Sequence, residues 1–203
     1  KKKKAIDVVF GDIGCNTLLY FMNALDTCLA MGASEAERMG YVMSRPEQAG
    51  RCISLIGDGT ECHSGLDATR NAVYRNVPGV KVILDNSWTA MTGGQSSPTS
   101  PENMAGEKIR FDLPETLKAH GAKVVTVGAY DKKNVRKSLK AALADAANGV
   151  FTTIVVGDGE PLAHYGGTGV GGPAGATESD EPGLETSQNL GRRVAELAQL
   201  IKG

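Results

Sequence analysis

Two short stretches carry the residue types that hold a hard cation and an anion together. One is Gly57-Asp58-Gly59-Thr60; the other is Leu84-Asp85-Asn86, which places Asn86 28 positions after Asp58. A carboxylate and an amide offer two oxygen ligands of the kind Mg²⁺ takes, in a shell of six at roughly 2.0–2.1 Å. Alone they bring too little charge, so substrate phosphates and water complete such a shell. Gly57 and Gly59 let the backbone approach an anion closely. The helix that follows, with Thr60 or Ser64 as its expected cap, adds its positive dipole end. These are the parts of a diphosphate–metal site. Gly-Asp-Gly by itself is better read as a tight strand-to-helix turn, with Asn86 an ordinary cap, so the surrounding elements decide.

Short β-rich runs alternate with helical patterns. Residues 6–10, 52–56, 80–84, 122–127 and 150–156 read as five buried strands; 24–44, 64–76, 114–120 and 131–147 read as helices. This alternation predicts an α/β fold in three layers, a parallel sheet with helices on both faces. Ligands of such sheets bind beyond the carboxyl ends of the strands. Gly11, Gly14, Gly57, Gly59, Gly93 and Gly94 all fall at or shortly beyond such ends. The stretch 157–183 is dense in Gly, Pro and acids and reads as an extended connector. It leads to a terminal helix, 185–202, where Leu190, Val194, Leu197 and Ile201 form one apolar stripe. The expected organisation is a domain over 1–156, a Gly/Pro-rich connector over 157–184 and an amphipathic helix over 185–203.

Composition narrows the function classes. The chain has 203 residues, 22 basic and 23 acidic, for a formal net charge of −1, where a nucleic-acid binder would carry a basic surplus. Hydrophobic residues make up 41%, enough for a core, and no apolar run reaches the roughly 20 residues of a membrane span. Cys15, Cys28, Cys52 and Cys62 form no C-x-x-C pair, so this chain builds neither a zinc knuckle nor an iron–sulfur cluster. A reduced, cytoplasmic protein is expected. The opening Lys1-Lys2-Lys3-Lys4, without an initiator Met, reads as a solvated tail on a processed or truncated piece. No apolar stretch follows it to make a signal peptide.

The wider text is more specific than Gly-Asp-Gly. Gly11-Asp12-Ile13-Gly14-Cys15, Asp26-Thr27-Cys28 with Met31-Gly32-Ala33-Ser34, His63-Ser64-Gly65, and Ile83 through Gln95 occur in order. Together they resemble the thiamine-diphosphate-binding domain of the 2-oxoacid:ferredoxin oxidoreductases over about residues 6–156. Residues 63–92 are most like the indolepyruvate type. The run Thr92-Gly93-Gly94-Gln95-Ser96-Ser97-Pro98 looks equally like the small β subunits of the pyruvate and 2-oxoglutarate members.

The resemblance implies a thiamine-diphosphate-binding fold and a role for each matching residue. Asp58, Asn86 and the main-chain carbonyl of Trp88 would hold Mg²⁺ against the cofactor's diphosphate. Gly57, Gly59 and Thr60 would line that diphosphate, with Ile13, Gly14 and Cys15 closing over it and His63 within reach. Met31 and Gly32 would lie along the aminopyrimidine; Met91 and Thr92 would approach the thiazolium as the residues nearest the chemistry. Each has a plain rival: Met31 as helix core, Cys15 as a small buried residue, Thr92 as a turn residue, His63 as a cap or surface residue. Asp12 and Asp85 are expected to orient loops.

The implied activity is oxidative decarboxylation of a 2-oxoacid, aryl-pyruvate-like, to an acyl-coenzyme A. Electrons would pass to iron–sulfur clusters in another domain or subunit. The family takes its cofactor-activating glutamate from a pyrimidine-binding domain, which no segment here resembles, so half an active site in a hetero-oligomer is expected. Three departures stand beside the likeness. The cysteine- and histidine-containing segment that precedes the family's first strand is missing. Val156-Gly157-Asp158-Gly159-Glu160-Pro161 replaces its cysteine after the last strand, and the connector and terminal helix have no counterpart. The second Gly-Asp-Gly, at 157–159, lacks a partner Asn and reads as a turn. Gly167-Thr168-Gly169-Val170-Gly171-Gly172 follows no strand and does not read as a dinucleotide site. A non-oxidative 2-oxoacid decarboxylase subunit and a non-catalytic scaffold retaining the fold are the alternatives.

Overall fold

The computed structural model describes residues 5–108 and 111–157. The Lys1–Lys4 tail, the connector beyond Gly157 and the terminal helix lie outside the described residues. Strand β1 (Val8–Gly11) is followed by a 3₁₀ helix (Cys15–Tyr20), β2 (Thr27–Cys28), α1 (Ser34–Ser44), a second 3₁₀ helix (Pro46–Arg51) and β3 (Cys52–Gly57). Next, α2 (Asp58–Thr60) runs through a π-helical turn (Glu61–Gly65) into α3 (Leu66–Tyr74). Then come β4 (Gly79–Leu84), β5 (Trp88–Thr89), β6 (Gln95–Ser96), α4 (Leu113–Ala119), β7 (Lys123–Val127), α5 (Lys132–Ala147) and β8 (Phe151–Val156). Six strands form one parallel sheet in the order β2-β1-β3-β4-β8-β7, while β5 and β6 pair as a separate antiparallel ribbon.

The period-2 alternation of side chains explains why both sheet faces are covered. Ile53, Leu55, Val80, Val82 and Ile154 face one side, against Val135, Leu139, Ala142 and Leu143 of α5. Cys52 faces the other, with Met39 and Val42 of α1 and Ala72 of α3. Further along that face Ile56, Ile83 and Val155 pack against Leu113 and Leu117 of α4. The expected three-layer α/β fold is what forms, and all five expected strands are present.

Two local expectations are corrected. Residues 24–33 are not helical: the backbone N–H of Asp26 donates to the Val9 carbonyl (2.9 Å), and Asp26 Oδ2 accepts from Val9 N (2.8 Å). These bonds draw the segment alongside β1 as the edge strand β2. Helix α1 begins only after Gly32, whose φ of +83° is left-handed and whose missing Cβ leaves room for the Ser64 side chain. The helix after β3 is also not capped by Thr60 or Ser64. Asp58 is its first residue, Gly57 precedes it, and Thr60 and Ser64 lie inside it.

A buried ion pair ties α1 to the sheet. Arg38 and Glu35, both 0% exposed, pair at 2.6 Å. Glu35 also accepts from Ser54 Oγ of β3 (2.5 Å), and Arg38 Nη1 donates to the Pro78 carbonyl (2.8 Å). A Cβ at Gly79 would overlap the Arg38 guanidinium. Gly79→Ala is therefore expected to displace Arg38 and leave Glu35 buried without its cation, costing about 3–5 kcal/mol. Urea unfolding of the variant against wild type measures this.

Candidate cofactor and metal site

The carboxyl ends of the central strands converge. The chain steps from β1 to β2 on one side, then to β3 on the other, so the strand order reverses between β1 and β3. A crevice opens at such a reversal, beyond the strand ends. Asp12–Cys15 leave β1 there, and Asp58 leaves β3. Gly57 pairs in register with Leu84, so Asp58 and Asp85 emerge side by side, with Asn86 one residue further.

Asp58 is 1% exposed. Its carboxylate accepts from the Thr99 hydroxyl and from the backbone N–H groups of Asn86 and Gly59, tying the β3 and β4 loops together. Burial pushes the Asp58 carboxyl up to about 7. The Thr99 hydrogen bond opposes this, the charge of Asp85 adds to it, and the two backbone N–H groups oppose it. Asn86 Oδ1 accepts from Trp88 N (3.1 Å). Between them Ser87 is left-handed (φ +62°), held by its N–H on Asp85 Oδ1 (3.0 Å) and by its carbonyl accepting from Ser100 Oγ (2.5 Å). The position beside Gly57 is open, with nothing within 4 Å of a Cβ built there; a Cβ at Gly59 would come to 2.9 Å from Thr89 Oγ1 of β5.

This donor set fits a cation that arrives with a diphosphate. A buried carboxylate disfavoured as an anion by desolvation and by a second acid is stabilised by a positive charge beside it. Among the described residues, no three His, Cys, Asp or Glu side chains cluster as a complete metal cage. The remaining ligands would then come from phosphate and water, as Mg²⁺ accepts.

The other expected residues lie after β1, before α1, on the π-helical turn and between β5 and β6. Ile13 and Gly32 are joined through Asp12, which is 0% exposed: its carboxylate accepts from Ile13 N (2.9 Å), Gly32 N (2.9 Å) and Ser34 N (3.3 Å). Asp12 thus orients both loops and satisfies the start of α1 from a distance. Gly14 donates to Thr17 Oγ1 (3.1 Å), and Cys15 opens the 3₁₀ helix. Met31 is exposed in a loop, which overturns helix core as its rival role. His63 is exposed on the π-helical turn. Met91 and Thr92 are exposed where β5 and β6 are joined; Thr92 Oγ1 donates to Gln95 Oε1 (2.5 Å), and Gln95 Nε2 donates back to the Thr92 carbonyl (2.7 Å). Burial raises the thiols of Cys15, Cys52 (to about 11) and Cys62 (to about 12), which therefore offer no thiolate at neutral pH.

The structure adds residues that the sequence did not single out. Thr99 on Asp58 has no local signature. Lys81 does have one, being a lysine within the apolar run of β4. It pairs with Glu61 of the π-helical turn at 2.5 Å, both 0% exposed, and donates to Thr69 Oγ1 (2.7 Å).

Residues 12–156 match the family described as thiamine pyrophosphate enzyme, C-terminal TPP binding domain. The chain belongs to the thiamine pyrophosphate enzymes. This thiamine pyrophosphate domain is 37% identical over 136 residues to the indolepyruvate oxidoreductase subunit IorA of Methanothermobacter thermautotrophicus. That match covers 65% of the chain but 22% of the relative. A shorter match, 57% identical over 53 residues, is to an iron-sulfur flavoprotein of Methanocaldococcus jannaschii, covering 26% of the chain and 28% of that protein. The fold is shared with the 2-oxoglutarate:ferredoxin oxidoreductase of Magnetococcus marinus, at a TM-score of 0.60 and 21% identity, over 77% of this chain and 55% of that one. No helix among the described residues is long and apolar enough to cross a membrane.

Proposed function

We propose that this chain is the thiamine-diphosphate- and Mg²⁺-binding part of a 2-oxoacid:ferredoxin oxidoreductase acting on an aryl-pyruvate-like substrate, with an acyl-coenzyme A as product. The observation that carries this is the joining of the Asp58 and Asn86 loops at register-adjacent strand ends, beside an open Gly57. The name of the indolepyruvate relative supports the substrate class, and that of the iron-sulfur flavoprotein is in keeping with redox chemistry. When bound, the cofactor supplies the nucleophilic carbon and takes up the electrons left by decarboxylation. The protein's part is positioning. Asp58, Asn86 and the Trp88 carbonyl would hold the cation; Gly57, Gly59 and Thr60 would line the diphosphate, with His63 beside it. Ile13, Gly14 and Cys15 would close over the diphosphate, Met31 and Gly32 would border the aminopyrimidine, and Met91 and Thr92 would flank the reacting end.

The site is a half. Phe21, just after the first 3₁₀ helix, is 80% exposed and Leu29, just after the edge strand β2, is 72% exposed; Met31 is exposed as well. Such uncovered apolar surface supports a partner domain there, the one that brings the activating glutamate. A second partner would carry the iron–sulfur clusters. The isolated chain is expected to release no carbon dioxide from a 2-oxoacid. The complex purified from its source is expected to contain iron and to reduce a one-electron acceptor when given 2-oxoacid and coenzyme A. Turnover by the chain alone would refute the half-site, and carbon dioxide release by an iron-free complex would make it a non-oxidative decarboxylase.

A further inference from the structure

Ser97, Thr99 and Ser100 follow β6, and Thr99 and Ser100 are 0% and 1% exposed, as buried as core side chains. Thr99 Oγ1 donates to Asp58 Oδ2, and Ser97 Oγ lies 2.8 Å from Thr99 Oγ1. A hydroxyl has one proton to give. Since that of Thr99 goes to Asp58, Ser97 is the donor to Thr99, and the chain of bonds runs from Ser97 through Thr99 to Asp58. Ser100 forms a second arm: its Oγ accepts from Ser97 N (2.9 Å) and donates to the carbonyl of Ser87 (2.5 Å). Ser87 is the left-handed residue between Asn86 and Trp88.

One four-residue segment thus grips both loops that carry the candidate ligands. It holds the β3 loop through the Asp58 side chain and the β4 loop through the Ser87 backbone. Burying hydroxyls is costly unless each is bonded, so packing alone would be met more cheaply by Val and Ala. A left-handed non-glycine residue likewise persists only where its surroundings over-determine it.

We propose that Thr99 is a positioning residue of the cation site, fixing the Asp58 carboxylate while Ser100 fixes the Asn86–Trp88 turn. The ligand oxygens then stand ready before cation and diphosphate arrive. This rests on the Mg²⁺–thiamine diphosphate reading of the site.

The test is a calorimetric titration of Mg²⁺ into the 203-residue chain with saturating thiamine diphosphate, for wild type, Thr99→Val, Thr99→Ser and Asp58→Ala. The unfolding midpoint of each metal-free chain is measured alongside. Thr99→Val should raise the half-saturating Mg²⁺ concentration about 10–100-fold, the usual effect of losing a group that orients a metal ligand. Thr99→Ser should restore near-wild-type binding. Loss of binding in Asp58→Ala together with wild-type Mg²⁺ affinity in Thr99→Val overturns the role of Thr99 and leaves the cation site standing. Equal binding by wild type and Asp58→Ala removes the cation site itself, and Thr99's role with it. Where Thr99→Val does not fold, Ser97→Ala decides. Weaker Mg²⁺ binding at an unchanged metal-free midpoint supports the relay, and unchanged binding overturns it.

Discussion

Asp58→Ala is expected to abolish Mg²⁺-dependent binding of thiamine diphosphate. The substitution removes the one acidic side chain proposed as a cation ligand. It also removes the acceptor shared by Thr99 and by the N–H groups of Asn86 and Gly59, which join the β3 and β4 loops. Charge and geometry are therefore lost together. The loss should exceed the upper end of what an outer-shell partner costs, on the order of 100-fold. Asp58→Asn separates the two effects: it keeps an oxygen acceptor for the loop and loses the charge. Cofactor binding followed by calorimetry with and without Mg²⁺ tests both variants. Undiminished binding in Asp58→Ala would remove the metal site from the mechanism.

Lys81→Met should unfold the chain far more easily than a surface substitution would. Lys81 and Glu61 pair at 2.5 Å with neither exposed, and Thr69 accepts from Lys81 while donating to Glu61 Oε1 (2.7 Å). Removing the ammonium leaves a carboxylate in the interior with a hydroxyl for company. Breaking a buried pair in this way costs about 3–5 kcal/mol. Against a typical total stability of roughly 5–15 kcal/mol, that is a large share. Because the cost is mostly that of the orphaned charge, Lys81→Met combined with Glu61→Gln should recover most of it. Urea unfolding of the single and double variants measures the difference. A Lys81→Met chain as stable as wild type would mean that the buried pair does not hold the fold together.

Much of the frame was legible because strand and helix periods are local properties. The runs at 52–56 and 80–84 are apolar enough to be buried on both faces, and they form β3 and β4. Strand–helix alternation then forces parallel pairing, so the neighbouring ends of β3 and β4 bring Asp58 and Asn86 together, as their spacing suggested. The segment 24–33 was misread because its composition suits a helix. Its bonds to Val9, and the left-handed Gly32 against Ser64, come from residues far along the chain. The β5–β6 ribbon escaped for a similar reason, being two residues per strand around Gly93-Gly94.

The sequence alone therefore determined the layered parallel sheet, the edge at which a ligand is proposed to bind, and the carboxylate and amide proposed to hold its cation. All of these follow from side-chain periodicity and chain direction. Only the tertiary structure decided how that carboxylate is held and what supports it. Thr99 meets Asp58 across 41 positions, and Lys81 meets Glu61 across a strand and a helix. A buried polar group takes whichever partner the fold brings within about 3 Å, and nothing in its sequence neighbourhood records which one that is.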